Sequence, residues 1–317
     1  LIIFISFISF GQDNKEIEDE IKSNEETRKE RVRVYLENHQ NYKSDRFSVL
    51  VDVINGKPIH VENHNEEAAR ATRTNFLQVD GDLQLNLEGD KLEIGIWEVG
   101  GHPLLNHLEF RDDNGDSRIT ISDDVDQSSF HATHVAGTLA AKGLNSNATG
   151  MATKANLIAF DNLSDVTEAL LQARDNDLLL SNHSYGVPVG SLDDNEWYMG
   201  AYSDPARSWD AVIRLNPYYL MVVSAGNDGN TVYQGGLGSR LDKLTGNKNA
   251  KNNLVVANAS DVELDDDSNM VFATINSSSS QGPTDDGRIK PDITGLGTLL
   301  FSTSNASNSA YARATGT

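Results

Sequence analysis

The 317-residue sequence contains no cysteine. This absence excludes disulfide bonds, thiolate metal sites, iron–sulfur clusters and a cysteine nucleophile. Basic residues are also scarce, because 26 lysines and arginines stand against 47 aspartates and glutamates, which gives a formal net charge of −21. Proteins bind the phosphate backbone mostly through Lys and Arg, so nucleic acid is not expected as a partner of so acidic a chain.

The apolar run at the start of the sequence, residues 1–11, is too short to span a bilayer, which takes about 20 residues. Its length and its small-residue end at Gly11 are typical of the hydrophobic region of a signal peptide. Neither a methionine nor a basic segment precedes Leu1, so the sequence is expected to begin inside that signal. This interpretation predicts an exported bacterial protein, secreted or held at the cell surface, with no membrane segment after signal cleavage. A buried N-terminal strand is the alternative.

Residues 12–88 have the pattern of a small α+β segment. Charged side chains dominate residues 13–30, which predicts a solvent-exposed helix. Residues 47–53 are strand-like, residues 56–58 (Gly-Lys-Pro) are typical of a turn, and residues 66–72 are compatible with a helix. A small unit is therefore expected between the signal and the main domain.

From Leu92 onward, short apolar runs alternate with helix-length amphipathic segments, which is typical of a mostly parallel sheet covered by helices. The predicted strands are residues 92–97, 156–160, 178–184, 219–224 and 254–259. The predicted helices are residues 130–141, 167–177 and 196–216. Loops at the carboxyl ends of parallel strands carry the chemistry of such folds, so the polar residues just after the strands are the candidates for a functional site.

Two polar residues follow predicted strands closely. Glu98 comes just before Gly100 and Gly101, and glycines let another segment approach its carboxylate closely. Alone, a strand-terminal acid is usually solvated or caps the next turn. Asn227 follows the apolar strand 219–224; an amide there usually forms an Asx turn, but it can also donate to a developing oxyanion if a nucleophile lies opposite.

Two histidines, His131 and His134, are three residues apart and share one face of the predicted helix 130–141. A zinc site is one interpretation of the pair. The segment lacks the glutamate of the His-Glu-x-x-His pattern, however, and its histidine spacing is i,i+3 rather than i,i+4. The other interpretation of His134 is a hydrogen-bonded helix residue, and the spacing leaves both open.

The predicted strand 178–184 runs into Tyr185 and Gly186. An exposed strand edge at this point can pair with an extended peptide by strand addition. An ordinary internal strand is the simpler interpretation of the segment taken alone.

Taken together and in this order, these segments resemble the subtilisin-like serine peptidases, or subtilases. That family has an acid after the first core strand, a His-Gly-Thr-His helix start and a Gly-Asn turn. The resemblance covers about residues 92–317. Within the family, the sequence looks most similar to secreted enzymes of Bacteroidetes-type bacteria. The stretches that carry this similarity are residues 94–101, 206–210, 222–228 and 282–293.

The resemblance implies both the fold and the roles of individual residues. It implies an α/β, subtilisin-like three-layer sandwich with a mostly parallel central sheet. Glu98 would stand at the position of the triad acid, His131 would be the general base, and Asn227 would be the oxyanion donor. The residues that would bind substrate are Ser184, Tyr185, Gly186, Ser224 and Gly226.

These roles together make a serine endopeptidase. A serine hydroxyl becomes a nucleophile when an imidazole takes its proton, and a carboxylate fixes the tautomer of that imidazole. An amide such as that of Asn227 then stabilises the oxyanion of the tetrahedral intermediate; loss of this donor costs about 10²–10³ in turnover, a magnitude known from subtilisin itself. The expected reaction is peptide-bond hydrolysis through an acyl-enzyme.

The sequence departs from the family pattern at three points. The acid is normally Asp, and Glu98 is longer by one methylene; Ala132 replaces the usual Gly. The family's nucleophile lies in Gly-Thr-Ser-Met-Ala, whereas this sequence stops at Thr317, so the serine is expected as the next residue. The chain as given is therefore expected to be inactive, and Ser302, Ser304, Ser307 and Ser309 are interpreted as loop or strand serines because none has the Gly-Thr context.

The predicted organisation is a partial signal peptide over residues 1–11, a propeptide or accessory α+β segment over residues 12–88, and a C-terminally incomplete peptidase domain over residues 89–317. The expected partners are protein or peptide substrates and the chain's own propeptide as inhibitor. No cofactor is required and no metal site is predicted, although Ca²⁺ is compatible as a structural ion; the acidic run 112–116 is interpreted as a solvated loop. The alternative function is a non-catalytic subtilisin-fold protein that binds peptides without cutting them.

Overall fold

The computed structural model describes residues 14–39, 48–62, 64–123, 126–192, 195–233, 241–265 and 267–317. The predicted signal segment, residues 1–11, lies outside the described residues. The chain divides into two compact units, Leu1–Asn63 and His64–Thr317.

The first unit contains a long helix and a β-hairpin. Its elements are α1 (Asn14–Asn38), β1 (Ser48–Ile54) and β2 (Lys57–Glu62). The hairpin turn is formed by Asn55 and Gly56, whose φ angles of 53° and 77° are those of the tight turns that an Asn-Gly pair favours. Arg31 of α1 donates two hydrogen bonds of 2.8 Å to the carboxylate of Asp52 in β1. The unit thus has the predicted α and β content, with its turn one residue earlier.

The second unit combines five helices with ten strands in its described residues. The helices are α2 (His64–Ala71), α3 (Thr74–Leu77), α4 (Phe130–Ala140), α5 (Asp165–Asp175) and α6 (Asp204–Leu215). The strands are β3 (Glu93–Glu98), β4 (Ile119–Ile121), β5 (Asn156–Asp161), β6 (Leu180–His183), β7 (Leu220–Ser224), β8 (Leu254–Leu264), β9 (Met270–Ile275), β10 (Ile293–Leu296), β11 (Leu300–Thr303) and β12 (Tyr311–Ala314).

The central sheet has the order β10-β8-β7-β6-β3-β5-β4, and every neighbouring pair in this series is parallel. β9 adds to β8 as an antiparallel strand, and β11 and β12 form a separate antiparallel hairpin. β3 lies inside the sheet between β6 and β5, so its carboxyl end opens onto the loops of both neighbours. The predicted α/β class with a mostly parallel sheet is confirmed.

Helices cover both faces of this sheet because the side chains of each strand alternate between the faces. On one face, Ile94 and Ile96 of β3 pack in a core with Ala136 of α4. On the other face, Trp97 packs in a core with Trp209 of α6, together with residues of α5. The architecture is therefore the predicted three-layer sandwich.

Two predicted elements of this unit have bounds that differ from those in the structure by more than two residues. The predicted helix 196–216 is wrong in its first part, where a single 3₁₀ turn over Glu196–Tyr198 precedes an irregular segment before α6. Gly200 has a φ of 72° and its N–H donates to the carbonyl of Leu244, so the backbone leaves the helical region there. The predicted strand 254–259 continues to Leu264 because its second half pairs with β9.

Residues 64–88 are built into the second unit. Ala68 of α2 is buried against Ala259 and Leu296 of the sheet. The Gln78 side chain donates hydrogen bonds of 3.2 and 3.1 Å to the carbonyls of Gly150 and Met151. This segment therefore shares the core of the unit that contains the central sheet.

Candidate active site

Glu98 lies at the carboxyl end of β3 and is only 1% exposed. Its Oε2 is 2.5 Å from Nδ1 of His131. Its Oε1 is buried and has no hydrogen-bond partner among the described residues. The carboxylate therefore has one strong partner, the imidazole.

His131 lies in the first turn of α4, which Ser129 starts by accepting a hydrogen bond of 3.0 Å from the N–H of Ala132. The Thr133 hydroxyl donates to the Ser129 carbonyl at 2.7 Å and accepts from the N–H of Leu104 at 3.0 Å. These bonds fix the start of the helix, while the His131 side chain remains 57% exposed. His131 thus presents an accessible ring whose Nδ1 side is held by Glu98.

The Glu98–His131 contact and burial act on both pKa values. Burial raises the pKa of Glu98, and the hydrogen bond to His131 opposes this rise. The hydrogen bond to Glu98 raises the pKa of His131 above its usual 6.5, against the effect of burial. A carboxylate on Nδ1 also fixes the tautomer of the neutral ring, so that Nε2 is left as the proton acceptor.

Asn227 follows β7 through a turn at Gly226, whose φ of 105° suits glycine. The Ser280 N–H donates to the Gly226 carbonyl at 2.8 Å and holds this turn in place. The Asn227 side chain accepts a hydrogen bond of 3.1 Å from the N–H of Thr317 through Oδ1. Its Nδ2 group is therefore the part of the amide that can donate to a ligand.

Thr317 is attached to the same turn from the other side. Its Oγ1 accepts a hydrogen bond of 3.0 Å from the N–H of Gly226 and lies 3.4 Å from Oδ1 of Asn227. The segment that follows β12 therefore lies beside the asparagine at Thr317.

A cavity of about 320 Å³ brings these groups together. His131, Asn227, Ser184, Ser224 and Thr317 all line it. Much of the remaining wall is apolar. The apolar residues include Phe130, Val135, Leu139, Val222, Val256 and Leu300. Ligand pockets commonly combine such apolar walls with a few convergent polar groups.

Three residues that the resemblance assigns to substrate binding do not line this cavity. The Tyr185 hydroxyl donates to Oδ2 of Asp165 at 2.6 Å, in the layer on the α5 side of the sheet. Gly186 is exposed beyond the end of β6. Gly226 contributes its backbone N–H to the site, where it donates to Oγ1 of Thr317.

The two histidines of α4 have separate partners. Nε2 of the buried His134 is 3.1 Å from the carbonyl of Leu300, while His131 contacts Glu98. Burial lowers the pKa of His134, which keeps its ring neutral. His134 is thus a hydrogen-bonded helix residue that joins α4 to β11. In the described part of the chain, no three His, Asp or Glu side chains form a group that could hold a metal ion.

The acidic run 112–116 is organised by its own backbone. Oδ1 of Asp112 accepts hydrogen bonds from the N–H groups of Asn114 and Asp116, at 2.9 and 2.8 Å. These bonds lower the pKa of Asp112. The run therefore forms a turn around the carboxylate of Asp112.

The hydroxyl groups that attach β11 to α4 are not evident from local sequence patterns. Ser302 donates to the carbonyl of His134 at 2.9 Å, and Thr303 donates to the carbonyl of Thr133 at 2.6 Å. Gly137 makes this approach possible, because a Cβ there would overlap both hydroxyls. A glycine inside a predicted helix was the available sign of such a close approach.

The sequence profile of the subtilase family, Peptidase S8, matches residues 90–317. The chain therefore belongs to the subtilase family, whose members are serine-type peptidases. The family and enzyme class predicted from the motifs are thus confirmed.

Two solved structures show the same fold at low sequence identity. The CspB protease of Clostridium perfringens is 14% identical, with 79% of this chain and 84% of that chain covered and a TM-score of 0.59. The patellamide maturation protease PatG is also 14% identical, with 74% of each chain covered and a TM-score of 0.50. No curated protein matches the sequence.

Proposed function

We propose that the second unit is the catalytic domain of an endopeptidase that cuts protein or peptide substrates through an acid–His–Ser triad. In this proposal Glu98 orients the imidazole and stabilises its protonated form, His131 is the general base, and Asn227 donates Nδ2–H to the oxyanion. The observation that carries the proposal is the 2.5 Å contact between Glu98 and His131, together with a cavity that His131 and Asn227 both line.

The proposed reaction moves one proton in each step. Nε2 of His131 takes the proton of the serine hydroxyl while the serine oxygen bonds to the substrate carbonyl carbon, and the oxyanion forms at Asn227. The protonated His131 then gives that proton to the leaving amine as the C–N bond breaks. Water then attacks the acyl-enzyme with the same proton transfers at His131 and releases the second product.

We place the nucleophile at a serine directly after Thr317. Two contacts support this position, since Thr317 binds the N–H of Gly226 through Oγ1 and Oδ1 of Asn227 through its own N–H. A residue that follows Thr317 would therefore lie beside the proposed oxyanion site. His131 lines the same cavity as Thr317.

A serine-directed phosphonate tests this proposal on the full-length gene product. We expect one covalent label, found by peptide mass spectrometry on the residue after Thr317, and loss of the label when that residue is replaced by alanine. Ser302 is the internal comparison, because its buried hydroxyl already donates to His134 and should stay unlabelled. A product that binds peptides but takes no label would instead be the non-catalytic peptide-binding protein.

We further propose that an extended substrate pairs with the chain edge at Ser184, Tyr185 and Gly186, opposite the Gly226 turn. Ser184 and Ser224 line the cavity. Tyr185 and Gly186 would contribute backbone groups, since the Tyr185 hydroxyl is already bound to Asp165. Main-chain pairing of this kind supplies affinity for many different sequences.

Export and maturation are part of the same proposal. The signal-like run 1–11 supports export, and among the described residues no helix combines the length and apolarity that a bilayer crossing needs. We propose that the segment after the signal is a propeptide that inhibits the enzyme until it is removed. Because residues 64–88 share the core of the second unit, the cut is placed between the two units rather than near residue 88.

N-terminal sequencing of protein from the culture medium checks this placement. We expect a mature chain that begins close to His64. A start near residue 89 would show that the cut lies inside the second unit and would contradict the placement. An uncut first unit on active enzyme would make that unit an accessory domain.

A further inference from the structure

Lys248 is a buried lysine that the proposed mechanism does not use. It lies in a 3₁₀ turn over Gly246–Asn249 and is 2% exposed. Its Nζ donates a hydrogen bond of 2.9 Å to the carbonyl of Tyr185. Within the described residues no carboxylate forms an ion pair with it, although an ammonium carries three donors.

The Lys248 side chain runs between two glycines that belong to the proposed substrate site. A Cβ on Gly186 would collide with Nζ, and a Cβ on Gly226 would lie 3.5 Å from Cε. Thr245 holds the segment in place by donating to the carbonyl of Val187 at 2.8 Å. The absence of a side chain at Gly186 is therefore what leaves room for Lys248, which also contacts the backbone turn at Gly226.

A buried ammonium with one hydrogen bond is unfavourable unless an anion joins it. Burial lowers the pKa of Lys248 to about 8, with the charge of Asp228 acting in the opposite direction. The group is therefore still mostly protonated at neutral pH. A ligand carboxylate would supply the missing acceptor.

The position of Lys248 identifies which part of a substrate could provide that carboxylate. A residue whose carbonyl oxygen lies at Asn227, and whose backbone pairs with the edge at Gly186, is flanked by both glycines. Lys248 would then lie beneath the side chain of that residue. In a peptidase that residue is the one directly before the bond that is cut.

We propose that Lys248 makes this enzyme selective for substrates with an acidic residue, Glu or Asp, immediately before the scissile bond. The inference rests on the proposed peptidase function and adds its substrate class. An uncharged side chain at that place would leave the ammonium without its anion, so the penalty should appear as lost transition-state binding. Leaving one partner of a buried charge pair alone costs at least about 2 kcal/mol, which corresponds to about 30-fold in rate.

The test uses three internally quenched peptides that differ only in the residue before the cut, which is Glu, Gln or Leu. For the full-length enzyme we expect kcat/KM for the Glu peptide to exceed that for the Gln peptide by about 30-fold or more. Gln has nearly the same size as Glu, so this ratio isolates the charge. It is measured on the unaltered enzyme and does not depend on a variant that folds.

Lys248→Met then removes the charge and keeps an unbranched side chain. We expect the Glu-to-Gln ratio to fall to about one and the Leu peptide to become the better substrate. Lys243→Met is the matched control, because Lys243 is equally buried and donates to the carbonyl of Gly229 at 3.1 Å rather than to Tyr185. Its ratio should equal that of the unaltered enzyme, whatever its stability.

The results that would contradict the acidic preference can be distinguished from those that would contradict the peptidase function. Cleavage of all three peptides at similar rates would overturn the acidic preference and leave the peptidase function intact. Cleavage of none, together with no phosphonate label, would overturn the peptidase function itself. An unchanged ratio in Lys248→Met would show that the preference, if measured, comes from another group.

Discussion

Replacing His131 by alanine is expected to lower kcat of the full-length enzyme by about 10⁶-fold, a magnitude known from subtilisin, another member of this family. The imidazole is the group that takes the serine proton and returns it to the leaving amine, and its ring is the partner of Glu98 at 2.5 Å. Without it the serine stays a neutral hydroxyl. Cleavage of a quenched peptide under saturating substrate measures the change.

The control for this variant is His102→Ala. The His102 ring contacts the carbonyl of its neighbour Pro103 at 2.7 Å and does not line the cavity. Its replacement should leave the turnover close to that of the parent enzyme. Substantial activity in His131→Ala would remove His131 from the mechanism and with it the triad.

Replacing Glu98 by glutamine is expected to lower kcat by about 10⁴-fold, which is the cost of the equivalent acid-to-amide change in a serine protease triad. An amide removes the negative charge that stabilises the protonated ring, and it also no longer fixes the tautomer. Burial strengthens the effect, because Glu98 is only 1% exposed and water cannot replace the lost partner. Peptide turnover measures the loss.

The same variant should also change the pH dependence. His131 acts as a base only when it is neutral, and the hydrogen bond to Glu98 raises the pKa of His131 above 6.5. In the parent enzyme, activity is therefore expected to rise with pH through a midpoint above 6.5, and in Glu98→Gln the midpoint should move to lower pH. An unchanged midpoint would mean that a group other than His131 controls the rise of activity with pH.

Glu98→Asp is the matched comparison, since it keeps the charge and draws the carboxylate back by about one bond length, roughly 1.5 Å. It should retain more activity than Glu98→Gln. A fully active Glu98→Ala enzyme would contradict the assignment of the acid.

The strand-end residues of the candidate site were predictable because of a general property of parallel sheets. The carboxyl ends of neighbouring parallel strands meet at one edge, so a polar residue at the end of β3 and another after β7 fall on the same side of the molecule. The positions of Glu98 and Asn227 after their strands are therefore enough to predict both as candidates. The helix that carries His131 is also predictable from the sequence, and α4 begins at Phe130 as expected.

Other features depend on contacts that no local pattern encodes. Lys248 lies in a short 3₁₀ turn, and its position depends on Gly186, which is distant in the sequence. The orientation of the Tyr185 side chain is also not evident from the sequence, because it depends on the hydrogen bond from its hydroxyl to Asp165 on the α5 side of the sheet. Short strands such as β4 and β10 carry too few residues for a clear alternation.

The hydroxyl bonds from Ser302 and Thr303 to the first turns of α4 have a mechanical consequence. They join the helix that carries His131 directly to the hairpin that leads to Thr317. The spacing between the imidazole and this hairpin therefore depends on two hydroxyl groups as well as on the packing of α4 against the central sheet.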